Sequence, residues 1–177
     1  MTFPEGFSYY ADFLTPYDQK ALAAELRHLE FTHDHFRGQQ LRRCYAQFGY
    51  AYVSTGRKLR PTAPFPDFLA ALVGLSIPYC PVGTRFNQCI ITHYPPGAGI
   101  GWHTDADQFG ETIIAVSLAG DARLQFRPKG SNRSTHELIA TSGSLYTMRG
   151  PARWDYQHQI KPVRTDRYSV TCRQVKP

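Results

Sequence analysis

The chain has 177 residues, 42% of them hydrophobic, and a formal net charge of +6, which suits one domain with a substantial core and excludes two full-sized ones. No window comes near the ~18 consecutive apolar residues of a membrane span, and the start "MTFPEGFSYYADFL" lacks the basic-then-apolar order of a secretory signal. Four cysteines without a CxxC pair exclude a zinc ribbon or disulfide scaffold and fit reduced thiols in a cytoplasmic monomer, while the basic balance favours an anionic partner, nucleic acid first.

Residues 14–31, "LTPYDQKALAAELRHLEF", predict the first helix. Thr15 can cap it, Pro16 suits its first turn, Asp18 follows three residues after the cap, and Leu22, Leu26 and Leu29 share a face. Residues 65–77, "FPDFLAALVGLSI", predict a second helix, again opened by a proline and an acid. Between them lies an irregular stretch, 31–64, in which Arg42, Arg43, Arg57, Lys58 and Arg60 interleave with Tyr45, Phe48, Tyr50 and Tyr52. Phosphate neutralisation plus base stacking needs this mixture, and a hairpin with a solvated basic face would show it equally.

From residue 86 the texture becomes short β-type runs: 86–94, 112–120, 122–128, 136–142, 144–149, 153–160 and 167–175, separated by turns such as "PPGAG" and "PKGSN". Seven such runs predict a jelly-roll sandwich or small barrel. The fold class is therefore α+β, with helices in the first third supporting a β-barrel.

Within "GWHTDADQFG", His103 and Asp105 stand two apart. At an extended strand end, such residues project the same way from Cα atoms roughly 6.6 Å apart. An isolated HxD is weak. His158, in "RWDYQHQI", lies 53 residues beyond Asp105 and supplies a third donor. Two imidazoles and one carboxylate make the facial set of non-haem Fe(II) oxygenases, which leaves coordination positions for a co-substrate and O2. The last run, "RYSVTCR", alternates strictly, with Arg167, Ser169, Thr171 and Arg173 on one side. Two arginines on an inward face call for anionic partners, and their planar forks suit the ends of a short dicarboxylate.

Together, "THYPPGAGIGWHTD", the distant His158 and "RYSVTCR" resemble the AlkB family of Fe(II)/2-oxoglutarate-dependent dioxygenases over roughly residues 86–174, with looser likeness around "FGYAY" and "PFPDFL". The resemblance implies a single domain over 1–177. Residues 86–174 would form a double-stranded β-helix (jelly-roll) core, and 1–85 the supporting helices and a nucleotide-recognition lid. It implies His103, Asp105 and His158 as ligands of Fe(II). Tyr94 and Arg167, with Thr92 and Ser169 beside them, would hold the distal carboxylate of 2-oxoglutarate, and Arg173 would lie near the chelating end. On the substrate side it implies Asp107 against an exocyclic amine, Arg153 at the pocket rim and Tyr50 on phosphate. Asp107 reads equally as a solvated turn carboxylate.

The implied reaction consumes O2 and 2-oxoglutarate and removes N-alkyl groups from nucleobases, foremost in repair of alkylated DNA. The base must be single-stranded or flipped out. Two departures matter. Thr92 stands where the family carries Asn, and Arg43 falls near the position of the base-stacking Trp of the DNA-repair members. "FGYAY" and "RYSVTCR" look closer to the tRNA-acting branch. Other readings therefore stay open: the same chemistry on RNA, on a protein side chain or on a small molecule, or a basic nucleic-acid-binding barrel without catalysis.

Overall fold

The final strand of the chain occupies the middle of the larger sheet, and the site is arranged around it. The computed structural model describes residues 3–36, 38–53 and 58–175, so Arg57 of the basic stretch lies outside them. In chain order the elements are β1 (Phe7–Tyr10), α1 (Pro16–Arg27), β2 (Thr32–Phe36), β3 (Gln39–Phe48), β4 (Tyr50–Val53), β5 (Lys58–Pro61), α2 (Asp67–Ser76), β6 (Gln88–Tyr94) and β7 (Ile100–His103). There follow β8 (Phe109–Leu118), β9 (Ala122–Pro128), β10 (His136–Ala140), β11 (Leu145–Met148), α3 (Gly150–Trp154), β12 (Tyr156–Ile160) and β13 (Arg167–Val175). The larger sheet runs β1-β11-β8-β13-β6-β3-β2 and the smaller β10-β9-β12-β7, with β4-β5 as a separate ribbon. All pairings between these strands are antiparallel, and the fold is the expected jelly roll.

Strand β8 reads as a continuous apolar run because both its faces are buried. One face carries Ile114, Val116 and Leu118, which pack with Val170, Cys172 and Ile91 under Leu22 and Leu26 of α1 and Leu69 and Leu72 of α2. The other carries Ile113 and Ala115, which pack with Leu124, Phe126, Tyr146 and Ile160 between the two sheets. Leu26 is wholly buried, so Leu26→Ala would cost about 2–5 kcal/mol. The α1 cap forms as expected: the Asp18 backbone N–H donates to Thr15 Oγ1 (3.2 Å), and that hydroxyl donates to Asp18 Oδ2 (2.6 Å).

The helical first third needs correction. Residues 7–61 supply five strands, three of which join the larger sheet: β1 pairs with β11, β3 with β6, and β2 with β3. The basic, aromatic stretch is thus built sheet, because its alternating side chains let β3 lie on β6, with Arg42 exposed and Arg43 turned into the cavity. Gly49 turns β3 into β4 at φ 73°, and a Cβ there would sit 2.0 Å from the Asn87 carbonyl. Two boundaries also shift: Arg153 and Trp154 belong to α3, and the unforeseen β7 carries His103.

Candidate metal and co-substrate site

His103 closes β7 and His158 centres β12, and the two are directly opposed across the strand pair, with ring centroids 4.3 Å apart. Gly99 permits this approach, since a Cβ there would lie 2.6 Å from the Ile160 carbonyl. Asp105 follows β7 in a short loop, and its Oδ2 is 3.7 Å from His158 Nε2. Sheet register thus brings together the three side chains that the sequence separates. They stand side by side rather than converged: among the described residues, no group of three or more His, Cys, Asp or Glu is arranged as a finished metal cage.

The surroundings fix their orientation. His103 Nδ1 contacts the Gly101 carbonyl at 2.8 Å, and as the N–H tautomer it leaves the lone pair on Nε2 free for a ligand. Arg173 Nε donates to Asp105 Oδ1 at 2.7 Å and its Nη2 lies 2.5 Å from the same oxygen, so Oδ2 is the oxygen left toward the imidazoles. Burial would raise the Asp105 carboxyl, but Arg173 and the two histidines outweigh it and hold it well below the usual range. Burial, and next His103, push the His158 imidazole down to about 3; burial also lowers His103. Two neutral imidazoles beside a carboxylate are the donor set that suits Fe(II), and no thiol lines the pocket.

Behind this group lies Arg167, fully buried. Its Nε donates to Ser117 Oγ (2.9 Å), while Nη1 and Nη2 have no hydrogen-bond partner. Its guanidinium sits 5.3 Å from the Tyr94 ring centre. A buried cation with two orphaned donors fits a carboxylate brought in from outside. Tyr94, its phenol pushed up by burial, shares the pocket with Thr92 and Ser169. Arg173 lies at the other end of β13, engaged by Asp105 and by Gln88 Oε1 (3.2 Å).

A cavity of about 500 Å³ is lined by His103, Asp105, His158, Thr92, Tyr94, Ser169 and Arg173; Arg167 does not line it but lies 5.3 Å from the centre of the Tyr94 ring, which does. Asp107 lines it, together with Arg43, Tyr45, Gln47 and Tyr52 from β3 and β4. Tyr50 does not; it opens β4 opposite Pro61, two residues before Tyr52 on the same strand. Arg153 does not reach the rim either. It is 3% exposed and turns onto the backbone, with Nη1 donating to the Asp105 carbonyl (3.2 Å) and Nη2 to the Ala106 carbonyl (2.8 Å). A roomier concavity of about 720 Å³, around residues 119–123 and 161–165, includes none of the expected site residues.

Three contributors escaped the sequence. Ser117 is hidden inside an apolar run. Tyr146, whose phenol burial pushes up to about 12, lines the cavity from β11. Tyr52, its ring 5.7 Å from that of Phe109, forms the aromatic wall. Only Tyr52 left a sequence signal, its place among the interleaved aromatics.

Residues 6–175 match the family model described as the 2OG-Fe(II) oxygenase superfamily. Uncharacterized protein L905 of Acanthamoeba polyphaga mimivirus is 25% identical over 162 residues, 91% of this chain and 75% of that one. An alpha-ketoglutarate-dependent dioxygenase AlkB homolog of Caulobacter vibrioides is 32% identical over 111 residues, 59% of this chain and 48% of that one, so the chain spans about half the length of this relative. The structure of OsALKBH1 superposes with a TM-score of 0.76 at 16% identity, covering 98% of both chains, a likeness of fold.

Proposed function

The chain belongs to the 2OG-Fe(II) oxygenase superfamily, and from that premise we propose that it is an oxidative dealkylase of nucleobases, acting foremost on alkylated DNA. It is AlkB-like, and its family implies Fe(II), 2-oxoglutarate and O2 as cofactor and co-substrates. Bound in the pocket, iron with these co-substrates supplies the oxidising equivalents that hydroxylate an N-alkyl carbon, with succinate and CO2 released and the unstable hemiaminal losing an aldehyde.

In this reading His103, Asp105 and His158 hold the metal. The register that opposes His103 and His158 supports this assignment, and side-chain rotation would close the set. Arg167 and Tyr94, flanked by Thr92 and Ser169, hold the distal carboxylate of 2-oxoglutarate. Arg173 keeps Asp105 ionised and turned toward the imidazoles, near the chelating end. The protein's contribution is placement, exclusion of water and charge complementarity.

The observation that carries the substrate reading is the wall opposite the metal set. Tyr45 and Tyr52 contribute aromatic rings, Asp107 a carboxylate and Arg43 a cation to the lining of one cavity. A flat, polar-edged base entering from a single strand meets stacking, edge and phosphate chemistry there in turn. Tyr50, on the ribbon outside the cavity, would meet the backbone phosphate. The net charge of +6 agrees with such a partner.

The test is a product assay. Purified protein with Fe(II) and 2-oxoglutarate is offered DNA and RNA oligomers bearing 1-methyladenine or 3-methylcytosine, and aldehyde and unmodified base are measured. Succinate release with every oligomer left methylated would reject the nucleobase reading and keep the oxygenase. No succinate release with any oligomer would likewise reject the nucleobase reading and send the search to protein or small-molecule substrates.

A further inference from the structure

Arg153 is a cation in the wrong place for a rim residue. It belongs to α3, is 97% shielded, and spends its fork on two consecutive backbone carbonyls, those of Asp105 and Ala106. Those carbonyls belong to the loop between β7 and β8 that carries Asp105 at one position and Asp107 two later. Arg173 holds the Asp105 side chain, and Arg153 holds the backbone of the loop on either side of the Asp105–Ala106 peptide. Residues 104–106 form no strand or helix, and the next backbone tie is the Phe109 N–H to the Ala106 carbonyl at 3.1 Å.

Arg153 is itself braced. Its guanidinium stacks on the Trp154 ring, 4.1 Å from the ring centre. Trp154 Nε1 donates to Glu111 Oε2 (2.5 Å), and the other oxygen of Glu111 accepts from the Gly150 N–H (2.6 Å), which ties both ends of α3 to β8. From this we infer that Arg153 is a positioning residue. Braced by Trp154 and Glu111, it clamps the His103–Asp107 loop and sets the direction of the Asp105 carboxylate and of Asp107 together. It touches neither metal nor substrate.

The chemistry favours arginine here. A planar fork spans two carbonyls at once, whereas a lysine ammonium on a flexible stem holds one with less directional control. Carbonyl oxygens near a metal carboxylate also crowd negative charge, and a buried guanidinium balances it without becoming a ligand.

The inference rests on the assignment of His103, Asp105 and His158 to a metal, and its test separates the two. Co(II), a spectroscopic stand-in for Fe(II), is titrated into wild type and into the Arg153→Lys and Arg153→Met variants, and its visible absorption is followed. Partners that orient a metal ligand typically change metal affinity by about 10- to 100-fold when removed. The expected result is weakening in that range for Arg153→Met, smaller weakening for Arg153→Lys, and an altered Co(II) band in both. If charge alone mattered, Lys would equal wild type and Met would bind tighter, and that pattern overturns the clamp. Equal binding by all three overturns it too. Absence of Co(II) binding in wild type rejects the metal assignment instead. Should Arg153→Met fail to fold, Arg153→Lys carries the comparison alone, and wild-type affinity and spectrum in it refute the clamp.

Discussion

Replacing Arg167 by Met should move stability and co-substrate affinity in opposite directions. The guanidinium is fully buried, bonded only through Nε to Ser117, with Nη1 and Nη2 unpartnered and the Tyr94 ring face at 5.3 Å as partial compensation. Exchanging a poorly paired buried charge for an apolar side chain of similar length is neutral or stabilising, by up to about 1–4 kcal/mol. If Arg167 holds the 2-oxoglutarate carboxylate as proposed, the same exchange removes its bidentate partner, a loss of about 2–5 kcal/mol. At about 1.4 kcal/mol per tenfold, that weakens binding on the order of 30-fold to several thousand-fold. Thermal unfolding with Mn(II), with and without 2-oxoglutarate, reads both effects. Wild type should melt higher when 2-oxoglutarate is added; Arg167→Met should start no lower and gain nothing. A variant that melts well below wild type yet keeps the full 2-oxoglutarate shift would refute the reasoning, for Arg167 would then be a structural cation with its ligand elsewhere.

His103→Ala and Asp105→Ala should each abolish 2-oxoglutarate turnover with an unchanged circular dichroism spectrum; wild-type succinate release in either would break the ligand assignment. Tyr52→Ala should raise the KM for a methylated oligomer, stacking being worth about 1–3 kcal/mol per base. Tyr52→Phe should restore it, with the KM for 2-oxoglutarate unmoved in both; no change in Tyr52→Ala would strip that ring of its role. The His158 imidazole is pushed down from 6.5 to about 3, so between those values the unfolded chain binds the proton and the folded one does not. Metal-free protein should therefore be fully stabilised above about pH 6.5 and lose roughly 1.4 kcal/mol per pH unit below it. Asp105, also depressed, adds to the loss only as pH falls through the carboxylate range and below. Urea midpoints that stay level between about pH 7 and pH 4.5 would contradict a neutral, buried His158.

Chemistry written as local alternation was legible. "RYSVTCR" and "ARLQFRP" fold as strands with the expected bounds, and the inward face of β13 carries Arg167, Ser169 and Arg173 as alternation requires. "HTD" was legible as a spacing, and its junction with His158 followed once strands were assumed. Partnerships between distant backbone groups were not. Arg153 looks like any other arginine in sequence, because its partners are carbonyls 48 and 47 residues away that have no residue type. The strands in residues 7–61 were hidden for a related reason. "FSYY" becomes β1 through pairing with Leu145–Met148, and β3 through β6, so their structure is decided by neighbours that local composition does not contain. Arg173 shows a subtler gap: its inward face was predictable, but not that Asp105 would already occupy its fork.

On the proposed ligand assignment, the opposition of His103 and His158 across β7 and β12 would make cofactor loading a checkpoint on chain assembly. Strand residues alternate sides, so a slip of β12 by one position would turn His158 outward and put Gln157 or Gln159 in its place. A misthreaded barrel would thus be left with an amide where a ligand belongs. Newly made chains that retain iron would then be those whose smaller sheet has zipped in the right alignment, and metal content would gauge correct maturation.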